Sequence, residues 1–244
     1  MFEAILASSL AGLATGLGAL PLILMRRVPP WVRDGLLGFA AGVMIAAASF
    51  SLLLPALQVG PFWLVLVGLS VGAVILGLLE WIIPAIHRAS ALDKQNDDGR
   101  LFRRGLIIAI AIALHNFPEG LAVGLGYAAG GGLPLALAIG AHNAPEGLVV
   151  AASFREQGMP WWRILIYTLL TGMVEPVAAW GGFLLGDAGR AFLPFGFALA
   201  AGAMIYVVSD ELIPESHGAG NERLATFAVM LGVILMLSLQ FLYG

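Results

Sequence analysis

Eight stretches of roughly 20 consecutive apolar residues run through this chain, at about 3–25, 35–57, 61–86, 105–128, 133–154, 162–186, 190–212 and 223–243. A hydrocarbon core roughly 30 Å thick is crossed by about 20 helical residues. Lipid offers the backbone no hydrogen-bond partners, so only helices and closed barrels span it. Unbroken apolar runs lack the alternation of a barrel strand. Composition agrees: 60% of the 244 residues are hydrophobic and 11% charged, more apolar surface than a water-soluble domain of this length can bury. The expected fold is an all-α integral membrane protein of eight transmembrane helices, forming a single transmembrane domain over 1–244. Met1-Phe2-Glu3 supplies no positive n-region and the apolar run continues to about Met25, so the first stretch reads as a span rather than a leader.

Orientation follows from the basic residues. Arg26, Arg27, Arg33, Arg88, Lys94, Arg100, Arg103, Arg104, Arg155, Arg163 and Arg223 fall on one set of alternate connections, and the other set holds Arg190 alone, so eleven of the 12 basic residues share a side. The positive-inside rule then predicts both termini outside. It also makes the one long polar segment, 87–104, a flexible cytoplasmic connection between the third and fourth helices. The net charge of −3 says nothing about nucleic acid, but the basic residues are few and none forms a run long enough to grip phosphates, so no nucleic-acid partner is expected. With no cysteine in the chain, disulfides and thiolate metal sites are excluded as well.

The fourth and fifth spans carry near-copies of one phrase, IALHNFPEGLA at 112–122 and IGAHNAPEGLV at 139–149. A weaker echo links AAGVMIAAASFSLLLP at 40–55 in the second span with AAGAMIYVVSDELIP at 200–214 in the seventh, with a one-residue slip before the proline. Each pair sits on antiparallel spans. Inverted repeats of this kind accompany midplane binding sites in secondary transporters.

His115 and Glu119 are four residues apart, as are His142 and Glu146, so each pair shares a helix face. Asn116 and Asn143 adjoin the histidines, and Glu175 lies near the centre of the sixth span. A carboxylate at that depth costs roughly 2.5–3.5 kcal/mol. No lysine or arginine lies in the interior of the spans, away from their first two residues, to offset it, which leaves a proton or a bound cation. Imidazoles, carboxylates and amide oxygens together suit Zn²⁺, Fe²⁺, Mn²⁺ or Co²⁺, in one site or two. Pro118, Pro145 and Pro176 remove helix hydrogen bonds beside these residues, freeing carbonyls that are tolerated where they line an ion path. Gly120 and Gly147 read as close-packing positions. Glu80, Asp210 and Glu211, with Glu215 and His217 just beyond, form a candidate cytoplasmic release path. Met44 and Met204, matched in the weaker repeat, read as packing.

HNFPEG, HNAPEG, VEPVAAW and SDELIPES resemble the ZIP (Zrt/Irt-like) family of metal transporters, over nearly the whole chain. Within that family the sequence is similar to the bacterial broad-specificity zinc and iron uptake permeases. The resemblance implies transport of Zn²⁺, with Fe²⁺, Mn²⁺, Co²⁺ and Cd²⁺ as further substrates, into the cytoplasm across a bacterial inner membrane. It implies a metal site, binuclear in related members, built from His115, Asn116, Glu119, His142, Asn143, Glu146 and Glu175. It implies a homodimer in the lipid bilayer and no catalytic cofactor: the metal is cargo. Some relatives carry aspartate where this chain has Asn143, which removes a charge from the second metal position. Segment 87–104 lacks the histidine-rich tract of many eukaryotic members.

Two other readings compete. A cation/proton antiporter would use the same carboxylates, although the paired histidines and asparagines favour metal. An intramembrane metal hydrolase would typically offer His-Glu-x-x-His, and no such string occurs. The chain is therefore expected to be a carrier and not an enzyme.

Overall fold

A computed structural model describes residues 1–25, 27–90, 97–189 and 191–244. Its long helices are α1 (Phe2–Leu24), α2 (Pro30–Val59), α3 (Phe62–Ser90), α4 (Asp97–Ala128), α5 (Leu133–Glu156), α6 (Trp161–Asp187), α7 (Leu193–Ser216) and α8 (Glu222–Tyr243). Seven of them, all but α4, meet the length and hydropathy of a membrane span among the described residues. At 32 residues α4 is about 48 Å long, ample to cross as well. The architecture is that of an all-α, multi-span membrane protein.

Helix α3 continues to Ser90 and α4 begins at Asp97, so helix occupies both ends of the segment expected as a long connection. Residues 91–96, with Lys94, lie outside the described residues, as do Arg26 and Arg190.

Proline sets several starts: α2 begins at Pro30, and Pro134 and Pro194 stand in the first turns of α5 and α7. There a missing N–H is harmless and the fixed φ suits the helix. Gly130 and Gly158, in the connections after α4 and α5, take φ of 92° and 81°, a left-handed conformation that only glycine adopts freely.

Several spans are irregular. Helix α1 loosens over residues 18–20 before Pro21, and α6 breaks at Met173. Helices α2 and α7 each widen into a π-helical stretch, Ala47–Leu53 and Val208–Leu212, shortly before Pro55 and Pro214. These are the segments that echo each other in sequence. A π-bulge accommodates an extra residue without ending the helix, and the stretch is longer in α2, at seven residues, than in α7, at five.

The helices pack as two groups. In one, α4 lies along α6, and α1 packs on α5 and α6. In the other, α2 pairs with α8 and α3 with α7. Between the groups, α2 meets α5 and α7 meets α4. Glycines permit the close approaches inside the first group. A methyl on Gly120 would collide with the main chain of Glu175, and one on Gly147 with the carbonyl of Thr15. Both motif glycines therefore serve packing, as their positions suggest, but against different helices. Met204 is fully buried in the core.

Candidate metal centre

Two clusters of histidine and carboxylate arise where α4 and α5 cross the interior. In the first, His142 Nε2 lies 3.1 Å from Glu119 Oε1 and 3.9 Å from Glu146 Oε1. Glu119 and His142 have no solvent exposure. In the second, His115 Nε2 lies 3.3 Å from Glu80 Oε1 and 3.4 Å from Glu211 Oε2. Within each cluster one ligand atom per residue falls within 4.8 Å of the others. Ligands at about 2.1 Å from a tetrahedral zinc stand about 3.4 Å apart, so both spacings suit a single cation with modest adjustment.

The His142 tautomer follows from its other nitrogen. Nδ1 is 3.1 Å from the carbonyl of Ala138, which can only accept, so Nδ1 carries the proton. In the neutral ring the Nε2 lone pair is then directed at two carboxylates. Three acceptors facing one another require a proton or a cation between them. Backbone anchoring of this kind orients metal-ligating histidines generally.

The asparagines are fixed in the same manner. Asn116 Nδ2 donates to the carbonyl of Thr171 at 3.1 Å, one turn before Glu175 at the break in α6. Asn143 Nδ2 donates to the carbonyl of Ala11 at 3.0 Å and to Glu175 Oε1 at 2.7 Å. With their nitrogens engaged, both side chains turn oxygen toward the interior. Asn116 Oδ1, Asn143 Oδ1, Glu119 Oε2 and Glu175 Oε2 are buried acceptors without a hydrogen-bond donor. Each such group in a dry interior costs about 1–3 kcal/mol, and the most economical joint remedy is a cation.

The seven sequence-derived positions thus divide. Glu119, His142 and Glu146 converge. Asn143 and Glu175 bond to each other, and Glu175 abuts Gly120, the neighbour of Glu119. Asn116 is tied to α6. His115 turns instead to Glu80 and Glu211, two of the three release-path acids. The third, Asp210, is exposed and joins neither cluster. His217 bonds locally to Ser216, the Ile213 carbonyl and Thr226.

Sequence reasoning missed the part of α1. Its contribution is a main-chain carbonyl and the close approach of Gly12 to Gly172, and neither leaves a side-chain signature. It also set aside Met44, which is buried yet lines a cavity with His115 and Glu146.

That cavity, about 200 Å³, runs from His115 and Glu146 past Ser153 and Glu211 to Glu215. A larger one, about 930 Å³, opens at the opposite end of the bundle among Ser51, Leu135, Asp187, Phe197 and Gln240. It stops short of His142: Ile139, fully buried, stands between Leu135 and His142 on the same face of α5. Among the described residues, Glu146 lines the smaller cavity and not the larger one.

The sequence also has known relatives. The profile of the family described as "ZIP Zinc transporter" matches residues 84–240. Zinc transporter GufA of Myxococcus xanthus is 41% identical over the full length of both chains. Zinc transporter ZIPB of Bordetella bronchiseptica is 38% identical over 99% of this chain and 81% of its own. Human zinc transporter ZIP11 is 31% identical over 98% of this chain and 97% of its own. With the profile covering well over half of the chain and full-length relatives at this identity, the chain belongs to the ZIP zinc transporter family.

Proposed function

We propose that this protein is a permease for divalent transition-metal ions, Zn²⁺ first among them, and that Glu119, His142 and Glu146 are the central ligands. The observation that carries this reading is His142 Nε2 set between two carboxylates, deep in a membrane span, with no Lys or Arg paired to them among the described residues. Bare carboxylates at that depth are costly, and a bound cation or a proton relieves the cost. Asn116, Asn143 and Glu175 offer oxygen for a second, weaker position beside the first. The metal is cargo, so no catalytic cofactor is called for.

His115, Glu80 and Glu211 serve as the next station, and the cavity leading to Glu215 as the way out. With eleven basic residues on that side, the way out opens to the cytoplasm and both termini lie outside. The matching π-bulges of α2 and α7 and the doubled HNxPEG phrase support an inverted repeat, folded as one domain. A homodimer in the bacterial inner membrane, accepting Fe²⁺, Mn²⁺, Co²⁺ and Cd²⁺ besides Zn²⁺, is the corresponding assembly.

The test is uptake of radioactive or fluorescently reported Zn²⁺, Mn²⁺ and Fe²⁺ into proteoliposomes, with wild type beside Glu119→Ala and His142→Ala. Wild type is expected to load the vesicles and both variants to fail while inserting normally. Wild-type rates in either variant would remove the site; no uptake of any metal by wild type would remove the function.

A further inference from the structure

The exit described above contains a conflict. Arg33 stands in the first turn of α2, on the basic side of the bundle, where topology favours positive charge. Its guanidinium donates from Nη2 to Glu215, at the end of the proposed exit for a dication. Glu215 itself lines that cavity together with His115, Glu146 and Glu211. Arg33 Nε is buried and has no hydrogen-bond partner, so among the described residues Glu215 is the anion that answers this charge. The neighbouring Asp34 is not free to do so: it is buried and accepts from Asn221 Nδ2 at 2.9 Å, tying the start of α2 to the start of α8.

We propose that Glu215 acts as a positioning and neutralising residue, holding and cancelling the Arg33 charge so that the cavity mouth stays permeable to a dication. The inference rests on the transport reading above. The family resemblance assigns no role to this pair. An exposed ion pair of this kind contributes little to stability, about 0–1 kcal/mol, so its position on the path is the better account of its presence. Arg33 satisfies orientation, and Glu215 removes the electrostatic penalty that orientation would otherwise impose on the cargo.

The magnitude follows from Coulomb's law. A lone positive charge about 8 Å from a dication in water-like screening slows its passage about sixfold. Mobile ions reduce the factor to about twofold near 0.15 M salt, where the Debye length is about 8 Å.

The experiment compares initial Zn²⁺ uptake by wild type, Glu215→Gln and the double variant Arg33→Gln/Glu215→Gln in proteoliposomes at low and at 0.15 M salt (about one Debye length of 8 Å). Glu215→Gln is expected to lose about sixfold at low salt and to recover as salt rises. The double variant is expected within about twofold of wild type at both salts. A pair that merely clamps α2 to α7 predicts the opposite: the double variant is as slow as the single one, and salt does not rescue either. That outcome, or a Glu215→Gln rate equal to wild type at low salt, overturns the proposal while leaving the transport reading intact. Absence of uptake by wild type overturns both. Should Glu215→Gln insert poorly, Arg33→Gln alone decides: it is expected to transport at or above the wild-type rate, and a slower rate at low salt overturns the proposal.

Discussion

Replacing Asn143 by aspartate changes one atom's chemistry and almost no volume, so its consequence can be worked directly from the hydrogen bonds. Asn143 Nδ2 gives one proton to the Ala11 carbonyl and one to Glu175 Oε1. In Asn143→Asp an oxygen takes the place of that nitrogen, and both acceptors lose their donor. An unsatisfied buried acceptor costs about 1–3 kcal/mol, so the metal-free variant is destabilised by about 2–6 kcal/mol before repulsion between the two carboxylates is added. For a chain of this size about 1 kcal/mol corresponds to roughly 2–4 °C in melting temperature, giving a fall of at least about 4 °C in chelator. A dication between the introduced carboxylate and Glu175 reverses the sign of the effect. At a free concentration about 100 times its dissociation constant it returns about 2.7 kcal/mol. The assay is thermal unfolding in detergent with EDTA and with saturating Zn²⁺, wild type beside variant. The variant is expected to melt lower in EDTA and to show the larger metal-induced rise. Equal melting of the two proteins in EDTA would refute the bridging role of the Asn143 amide, and with it the account of why Asn143 faces the site through oxygen.

Other substitutions separate packing from passage. Gly147→Val drives a side chain into the Thr15 carbonyl; a loss of about 1–3 kcal/mol is expected, read as a lower melting temperature that Zn²⁺ does not restore. Glu211→Ala and Glu80→Ala each leave His115 one partner and are expected to slow Zn²⁺ uptake less than Glu119→Ala does, measured as initial rates; an equal loss would move that cluster into the central site. Ser51→Ala removes the 2.8 Å hydrogen bond to Gln240 at the rim of the larger cavity, worth about 0.5–1.5 kcal/mol, and uptake is expected within about twofold of wild type.

The His-x-x-x-Glu pairs were readable because a spacing of four has one meaning on a helix. What the two near-identical phrases could not show is that they part company. His142 turns to Glu119 and Glu146, whereas His115 turns to Glu80 and Glu211. The rotation of each helix is set by what its glycine abuts, Glu175 for Gly120 and Thr15 for Gly147, and a glycine does not announce its partner. The break at Met173 had a signal in Pro176, three residues on, but not its result, a Thr171 carbonyl presented to Asn116. Glu80 and Glu211 were legible as acids near a helix end; that they reach one histidine from two different helices was not. Asp210 and Glu211 are consecutive in the π-helical stretch of α7, and one residue's turn of that helix separates a residue in the cluster from one outside it.

The two helix groups give the second cluster a mechanical character. His115 belongs to α4, in the group with α1, α5 and α6, while Glu80 and Glu211 belong to α3 and α7 in the other. The first cluster, Glu119, His142 and Glu146, lies wholly on α4 and α5. A cation held by the first cluster would therefore move with those helices as a passenger, were they to move. One held by the second would rivet the two halves of the molecule together, and any sliding of one half along the other would have to shear that rivet or wait for it to leave.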